Sequence, residues 1–239
     1  MIAEKKTLSQ SDFGQIIWGV IGVYLAAVIL FHSAPPEILE FVYHVGVLLI
    51  LAFFLRKLGI KRIDLEKYTL INLKIDFINA VKYFALIALG IVALLSVAAG
   101  FLLLASNLNP VVANFYKGVT NTASIMSPTQ IFPQAFSSPT RTFFYLTTVC
   151  AIAPIAEEIF YRRFLFVFLR KKYCKVTAIV VSGIIFGIGH FEGFIVATLM
   201  GIILAYVYEK EDKLTIPVLI HIFKNVTAVL AGLLYAYVA

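Results

Sequence analysis

The chain has 239 residues, of which 61% are apolar and only 14% charged. A soluble domain usually holds about 45–50% apolar and about 25% charged residues, so this chain has too little polar surface to coat a globule in water. Its net charge of +7 lies on no basic stripe of a foldable soluble unit, which excludes nucleic-acid binding and makes the excess a report of membrane topology.

Run length excludes an unusually large soluble core. Gly14 to Phe31 and Tyr83 to Ala105 carry no charge, and a span needs about 20 mostly apolar residues at about 1.5 Å rise each. The pattern predicts an all-α, polytopic transmembrane helical bundle of about seven spans. They fall at about 13–32, 38–55, 78–105, 142–169, 175–190, 193–208 and 214–237. The first apolar run is longer than a signal-peptide core and is expected to stay as an uncleaved span. Ser33-Ala34-Pro35-Pro36-Glu37 makes a short turn with a proline stop. The segment 56–77 is polar and basic, and is expected to lie on the membrane surface as a positive-inside loop rather than a lipid-binding element. Residues 106–141 are rich in Asn, Ser, Thr and Pro and leave room for an eighth span or a re-entrant piece. The chain reads as one membrane domain, 1–239, with N-terminal spans and loops over 1–140 and a core of spans bearing polar residues over 140–239. The two cysteines, Cys150 and Cys174, are too few for a disulfide framework and fall at different depths.

Basic residues set the expected orientation. Lys5 and Lys6 precede the first span, and the following inside loops hold the 56–77 cluster, then Arg170, Lys171, Lys172 and Lys175, then Lys210 and Lys213. The loops between are nearly free of Lys and Arg. Alternation puts the N-terminus inside and the C-terminus outside.

Charges within spans are the exceptions that carry information. Glu157 and Glu158 sit in the fourth span, between Ala-Pro-Ile-Ala and Ile-Phe-Tyr. Each acid costs about 2.5–3.5 kcal/mol at a helix centre, so two adjacent ones imply a role. Arg162 follows Glu158 by four residues and shares its face, which predicts a supporting pair. Glu157 points about 100° away and is free to face the bundle interior as a general base. Phe186 and His190 share a face at the end of the fifth span, and His221 and Asn225 share one in the seventh. Estimated depths of about 20 Å for Glu157 and His190, and about 10–17 Å for His221 and Asn225, let them meet in one plane. Taken singly, each has a plainer reading: a packing histidine, an ion or proton path for the Glu pair, a core phenylalanine. Gly183, Gly187 and Gly189 are expected to permit close helix packing, and His32 and His44 are read as packing or interface residues.

The set Glu157-Glu158-x-x-x-Arg162, Phe186-x-x-x-His190 and His221-x-x-x-Asn225 resembles, in order, the pattern of the type II CAAX prenyl protease and bacteriocin-processing family (CPBP). The resemblance covers about residues 140–239. Arg163 departs from it, standing where members commonly carry a small residue. The resemblance implies an intramembrane endopeptidase in which Glu157, assisted by Glu158, and His190 activate water. His221 and Asn225 then hold the developing oxyanion, supported by Arg162 and Phe186. No cofactor is expected, with zinc on Glu157, His190 and His221 as the alternative, although the spacing His-Glu-x-x-His is absent. The implied partners are a peptide or protein substrate and the lipid bilayer, the setting a bacterial cell membrane, and the role peptide processing or bacteriocin immunity. Two readings of other classes stand beside it: a non-catalytic scaffold or regulator of a sensor kinase or peptide, and a proton-coupled transporter. Completeness of the polar set favours the enzyme, and absence of an internal repeat weighs against the transporter.

Overall fold

The computed structural model describes residues 8–58, 70–109, 111, 114, 132–190 and 193–238, and these are helical with no strand among them. The elements are α1 (Gln10–Phe31), α2 (Pro36–Lys57), α3 (Leu70–Leu108), the short α4 (Phe132–Ala135), α5 (Pro139–Lys172), α6 (Lys175–Ile188), α7 (Phe194–Glu211) and α8 (Thr215–Val238). Among the described residues a helix stands at each of the seven positions the apolar runs predict. Five described helices, α1, α2, α3, α5 and α8, are long and apolar enough to cross a membrane by length and composition, whereas α6 is a shorter apolar helix. The centre of the basic segment 56–77, most of the 106–141 loop, and Lys5 and Lys6 lie outside the described residues.

Local chemistry sets the helix ends. Ser9 caps α1 through a reciprocal box with Asp12, whose N–H donates to Ser9 Oγ at 3.0 Å. Pro36 opens α2 and Pro139 opens α5, each in the first turn where the missing N–H does no harm. Asp212 ends α7 in a left-handed conformation, φ 50°, that turns the chain sharply into α8.

Apolar side chains gather at three helix junctions. Ile16, Val47, Leu51, Phe54 and Phe164 join α1 and α2 to α5. Leu165, Phe166, Ala178, Ile179 and Ala205 join α5 to α6 and α7. Ala80, Met200, Leu204, Ile216 and Ile220 join α3, α7 and α8. In lipid such surfaces gain little hydrophobic drive, so close approach and polar ties decide the packing. The three glycines singled out provide the close approach. A Cβ on Gly183 would run into Ile202, 2.6 Å from its backbone nitrogen, and one on Gly187 would overlap Thr198 and lie 2.9 Å from the Phe194 carbonyl. Gly189 does the same toward α5, since its Cβ would stand 2.7 Å from the Tyr161 hydroxyl.

Polar ties bind the helix ends. At one end Lys57 donates to Gln15 at 2.8 Å, Lys171 to the Leu8 carbonyl at 2.8 Å and Lys213 to Asp76 at 2.6 Å, while Arg170 pairs with Glu209 at 3.1 Å. At the other end Arg141 clasps Glu37 at 2.9 Å, joining the starts of α2 and α5. Lys57, Arg170, Lys171 and Lys213, the described basic residues of this set that make these ties, therefore cluster at one end of the bundle.

Candidate active site

The helix that carries the two glutamates is not a regular α-helix. Within α5, residues Thr148–Ile152 and Ile159–Phe166 are wound as π-helix, flanking the α-helical turn Ala153–Glu158. Pro154 explains part of this. The Ala153 N–H reaches back five residues to the Thr148 carbonyl. The next donor in that register belongs to Pro154, which has no N–H, so the Val149 carbonyl loses its helical partner. Asn225 supplies one: its side-chain Nδ2 donates to Val149 O at 2.8 Å. Wide turns of this kind recur at functional sites, where they re-aim side chains.

Glu158 and Arg162 form the expected pair, fully buried, with Arg162 Nε donating to Glu158 Oε2 at 2.7 Å and Nη2 to Oε1 at 3.3 Å. Arg162 Nη1 also donates to Ser182 on α6 at 3.4 Å. Glu158 does more than balance that arginine. Its Oε1 accepts from His221 Nδ1 at 3.2 Å, which fixes the imidazole tautomer and turns Nε2 outward. His190 is held in the same manner, donating from Nδ1 to the Phe186 carbonyl at 2.9 Å. The outward Nε2 atoms of His190 and His221 then approach one atom, Glu157 Oε2, at 3.6 and 3.8 Å. That oxygen is buried and, among the described residues, has no hydrogen-bond partner within 3.5 Å.

Phe186 is more than core. Its ring stacks on His190 with centroids 4.4 Å apart, meets His221 edge-on at 5.7 Å, and lies 5.2 Å beneath the Arg162 guanidinium. One aromatic ring thus orients both histidines and covers the buried cation. Arg163, the departure from the family pattern, points elsewhere and donates to the Tyr208 hydroxyl on α7 at 3.5 Å.

The two histidines open onto a cavity of about 520 Å³, walled by Phe186, Gly189, His190, His221 and Lys224 together with the apolar face of α7 and Glu40 of α2. Glu157, Glu158, Arg162, Phe186, His190 and His221 therefore come together as the sequence predicts. Asn225 packs against α5 one turn away, with one amide hydrogen committed to Val149. Among the described residues no group of three or more His, Cys, Asp or Glu side chains is arranged to hold a metal ion. Cys150 and Cys174 are free thiols.

Sequence reasoning missed His44. Read as a packing or interface residue, it comes from α2 to place Nε2 3.9 Å from Glu157 Oε1, while its Nδ1 donates to the Glu40 carbonyl at 2.8 Å. His44 matches the other two histidines in design, with one nitrogen anchored and the other turned to Glu157. An intramembrane histidine one helix turn from Glu40 was the available signal, but only packing of α2 on α5 reveals its target.

Comparison with known proteins finds similarity in the same part of the chain. Residues 139–227 match the family described as "Type II CAAX prenyl endopeptidase Rce1-like", a stretch holding Glu157, Glu158, Arg162, Phe186, His190, His221 and Asn225 but not His44. The chain is also 31% identical over 84 residues to "Putative membrane peptidase YdiL" of Bacillus subtilis (strain 168). That alignment covers 34% of this chain and 34% of the relative, so the chain spans about a third of the relative's length. No solved structure matches the chain. Residues 139–227 are thus similar to the Rce1-like family, within a chain whose long apolar helices mark a multi-pass integral membrane protein.

Proposed function

We propose that the chain is an intramembrane endopeptidase that hydrolyses peptide bonds with a water activated by Glu157 and His190. The observation that carries this is the convergence of His190 Nε2 and His221 Nε2 on the buried, unpartnered Glu157 Oε2 beside a cavity.

With His190 Nδ1–H on the Phe186 carbonyl, the neutral ring offers an Nε2 lone pair to one hydrogen of the water. Glu157 takes the other as the water oxygen attacks the scissile carbonyl carbon. His221, once it takes a proton at Nε2 while Nδ1–H stays on Glu158, presents Nε2–H to the oxyanion, and the second amide hydrogen of Asn225 is the companion donor. In that state the charges of Glu157, Glu158, Arg162 and His221 sum to zero, which suits a low-dielectric site. Collapse of the tetrahedral intermediate breaks the C–N bond. The proton from Glu157 passes to the leaving nitrogen, and the second proton of the water passes by way of His190 Nε2 to the new amine, giving one carboxylate and one ammonium.

The reading extends to seven spans with the basic end of the bundle in the cytoplasm, which places the N-terminus inside. Substrates are membrane-associated or secreted peptides. A bacterial cell membrane and a part in bacteriocin processing or immunity are the setting proposed.

Hydrolysis of a broad peptide library by purified, detergent-solubilised protein tests it, with Glu157→Ala and His190→Ala alongside and a strong zinc chelator in parallel. Cleavage lost in both variants and indifferent to chelator supports the metal-free mechanism. Loss on chelation, restored by zinc, assigns Glu157, His190 and His221 to a metal site instead. Equal activity of wild type and Glu157→Ala sinks the catalytic assignment, and absence of cleavage by every form shifts weight to a scaffold that binds peptide or a sensor kinase.

A further inference from the structure

Lys224 is the one lysine among the residues that line the cavity. It is the tenth residue of the 20-residue apolar span Thr215–Leu234. That places its Cα about 15 Å from either end of the span, beyond what a lysine stem covers in snorkelling to an interface. A cation at a span centre costs about 2.5–3.5 kcal/mol, so its persistence there calls for a counter-charge. Among the described residues Lys224 makes no hydrogen bond and no ion pair within 4.0 Å, although it is half-buried. Glu157 is near enough for its charge to act on Lys224, but that carboxylate already faces three imidazoles. Glu40, the acid on the α2 wall, is exposed and does not pair with Lys224.

The rest of the wall is apolar. Val196, Ala197, Met200 and Leu204 of α7 face the same space. His221 and Lys224, three residues apart on one face of α8, stand side by side. A ligand seated on His221 therefore meets the ammonium within about one residue's length of the reacting carbonyl.

We infer that Lys224 forms a subsite for a substrate carboxylate, so that the preferred substrates are apolar peptides bearing a carboxylate next to the scissile bond. The inference rests on the peptidase reading of the cavity. Such a group has two sources, a free C-terminus or an acidic side chain. Repulsion from Glu40 directs either one to the α8 wall.

The test uses fluorescein-labelled octapeptides of Ala, Val and Leu in three forms: with a free C-terminus, with a C-terminal amide, and amidated with one Glu scanned along the sequence. Cleavage is measured with wild type, Lys224→Met and Lys224→Arg. Binding of the same peptides is measured by anisotropy on Glu157→Gln protein, with and without Lys224→Met. Wild type is expected to favour a carboxylate-bearing form about tenfold in kcat/KM, mostly through KM, with the ratio falling to about one in Lys224→Met and kept in Lys224→Arg. Preference erased by amidation identifies the terminus as the source. Preference that survives amidation but follows Glu identifies the side chain. Cleavage of all three forms at equal kcat/KM overturns the subsite and leaves the peptidase standing. Lys224-dependent binding of the carboxylate form without cleavage by wild type does the reverse. Binding unchanged by Lys224→Met overturns the subsite whatever the cleavage shows.

Discussion

His44 Nε2 lies 3.9 Å from Glu157 Oε1, joining α2 to the acid of α5 across more than a hundred residues of chain. His44 stands outside the Rce1-like stretch 139–227, so the N-terminal helices contribute to the site and do more than wrap it. Three imidazoles then surround one carboxylate, each anchored at Nδ1: His44 by the Glu40 carbonyl, His190 by the Phe186 carbonyl and His221 by Glu158.

His44→Ala is expected to lower kcat by about tenfold to a hundredfold with little change in KM, because Glu157 loses the imidazole that stands beside its second oxygen. His44→Gln, whose amide can reach the same oxygen, is expected to recover part of that loss. Steady-state kinetics on a cleavable peptide checks both. A kcat untouched in His44→Ala would return His44 to packing.

Arg162→Ala strands Glu158, a fully buried carboxylate, and removes the donor to Ser182. Breaking a buried pair from one side costs about 3–5 kcal/mol. Expression and thermal stability in detergent should both fall. Replacing both partners, Glu158→Gln with Arg162→Met, should recover much of the stability without recovering activity, since His221 loses its carboxylate.

Gly187→Val places side-chain atoms where Thr198 and the Phe194 carbonyl already lie. The helices α6 and α7 must separate, at about 1–3 kcal/mol of overpacking, and His190 at the end of α6 moves with them. A lower melting temperature together with reduced cleavage is expected. The same change at Gly90, with nothing within 4 Å, should leave the melting temperature unchanged.

Asn225→Ala leaves the Val149 carbonyl without a donor beside a proline that cannot provide one. The full cost of an unsatisfied buried carbonyl is about 1–3 kcal/mol, and this part-buried one should lie toward the low end, read as a fall in melting temperature. Asn225→Asp should fall similarly, because an ionised carboxylate cannot donate to a carbonyl. A fall in kcat at unchanged melting temperature would instead put the work of Asn225 wholly on the oxyanion.

The sequence by itself determined the membrane character, the seven helical segments and the Glu158–Arg162 pair. These follow from short-range rules: apolar run length sets a span, and a separation of four residues sets a shared helix face. The grouping of Glu157 with His190 and His221 was also legible, because three in-span motifs have few ways to avoid meeting. Tertiary structure alone decided the rest. Helix periodicity says nothing about which face of α2 meets α5, so His44 read as a packing residue. The donor lost at Pro154 was visible in the sequence, but the Asn225 amide that answers it arrives from another helix. Lys224, a charge inside the last span that the sequence reading passed over, gains its setting only where α7 and α8 bring it beside His221. Contacts within a helix are set by spacing along the chain, whereas contacts between helices are set by the fit of whole surfaces, which no local pattern encodes.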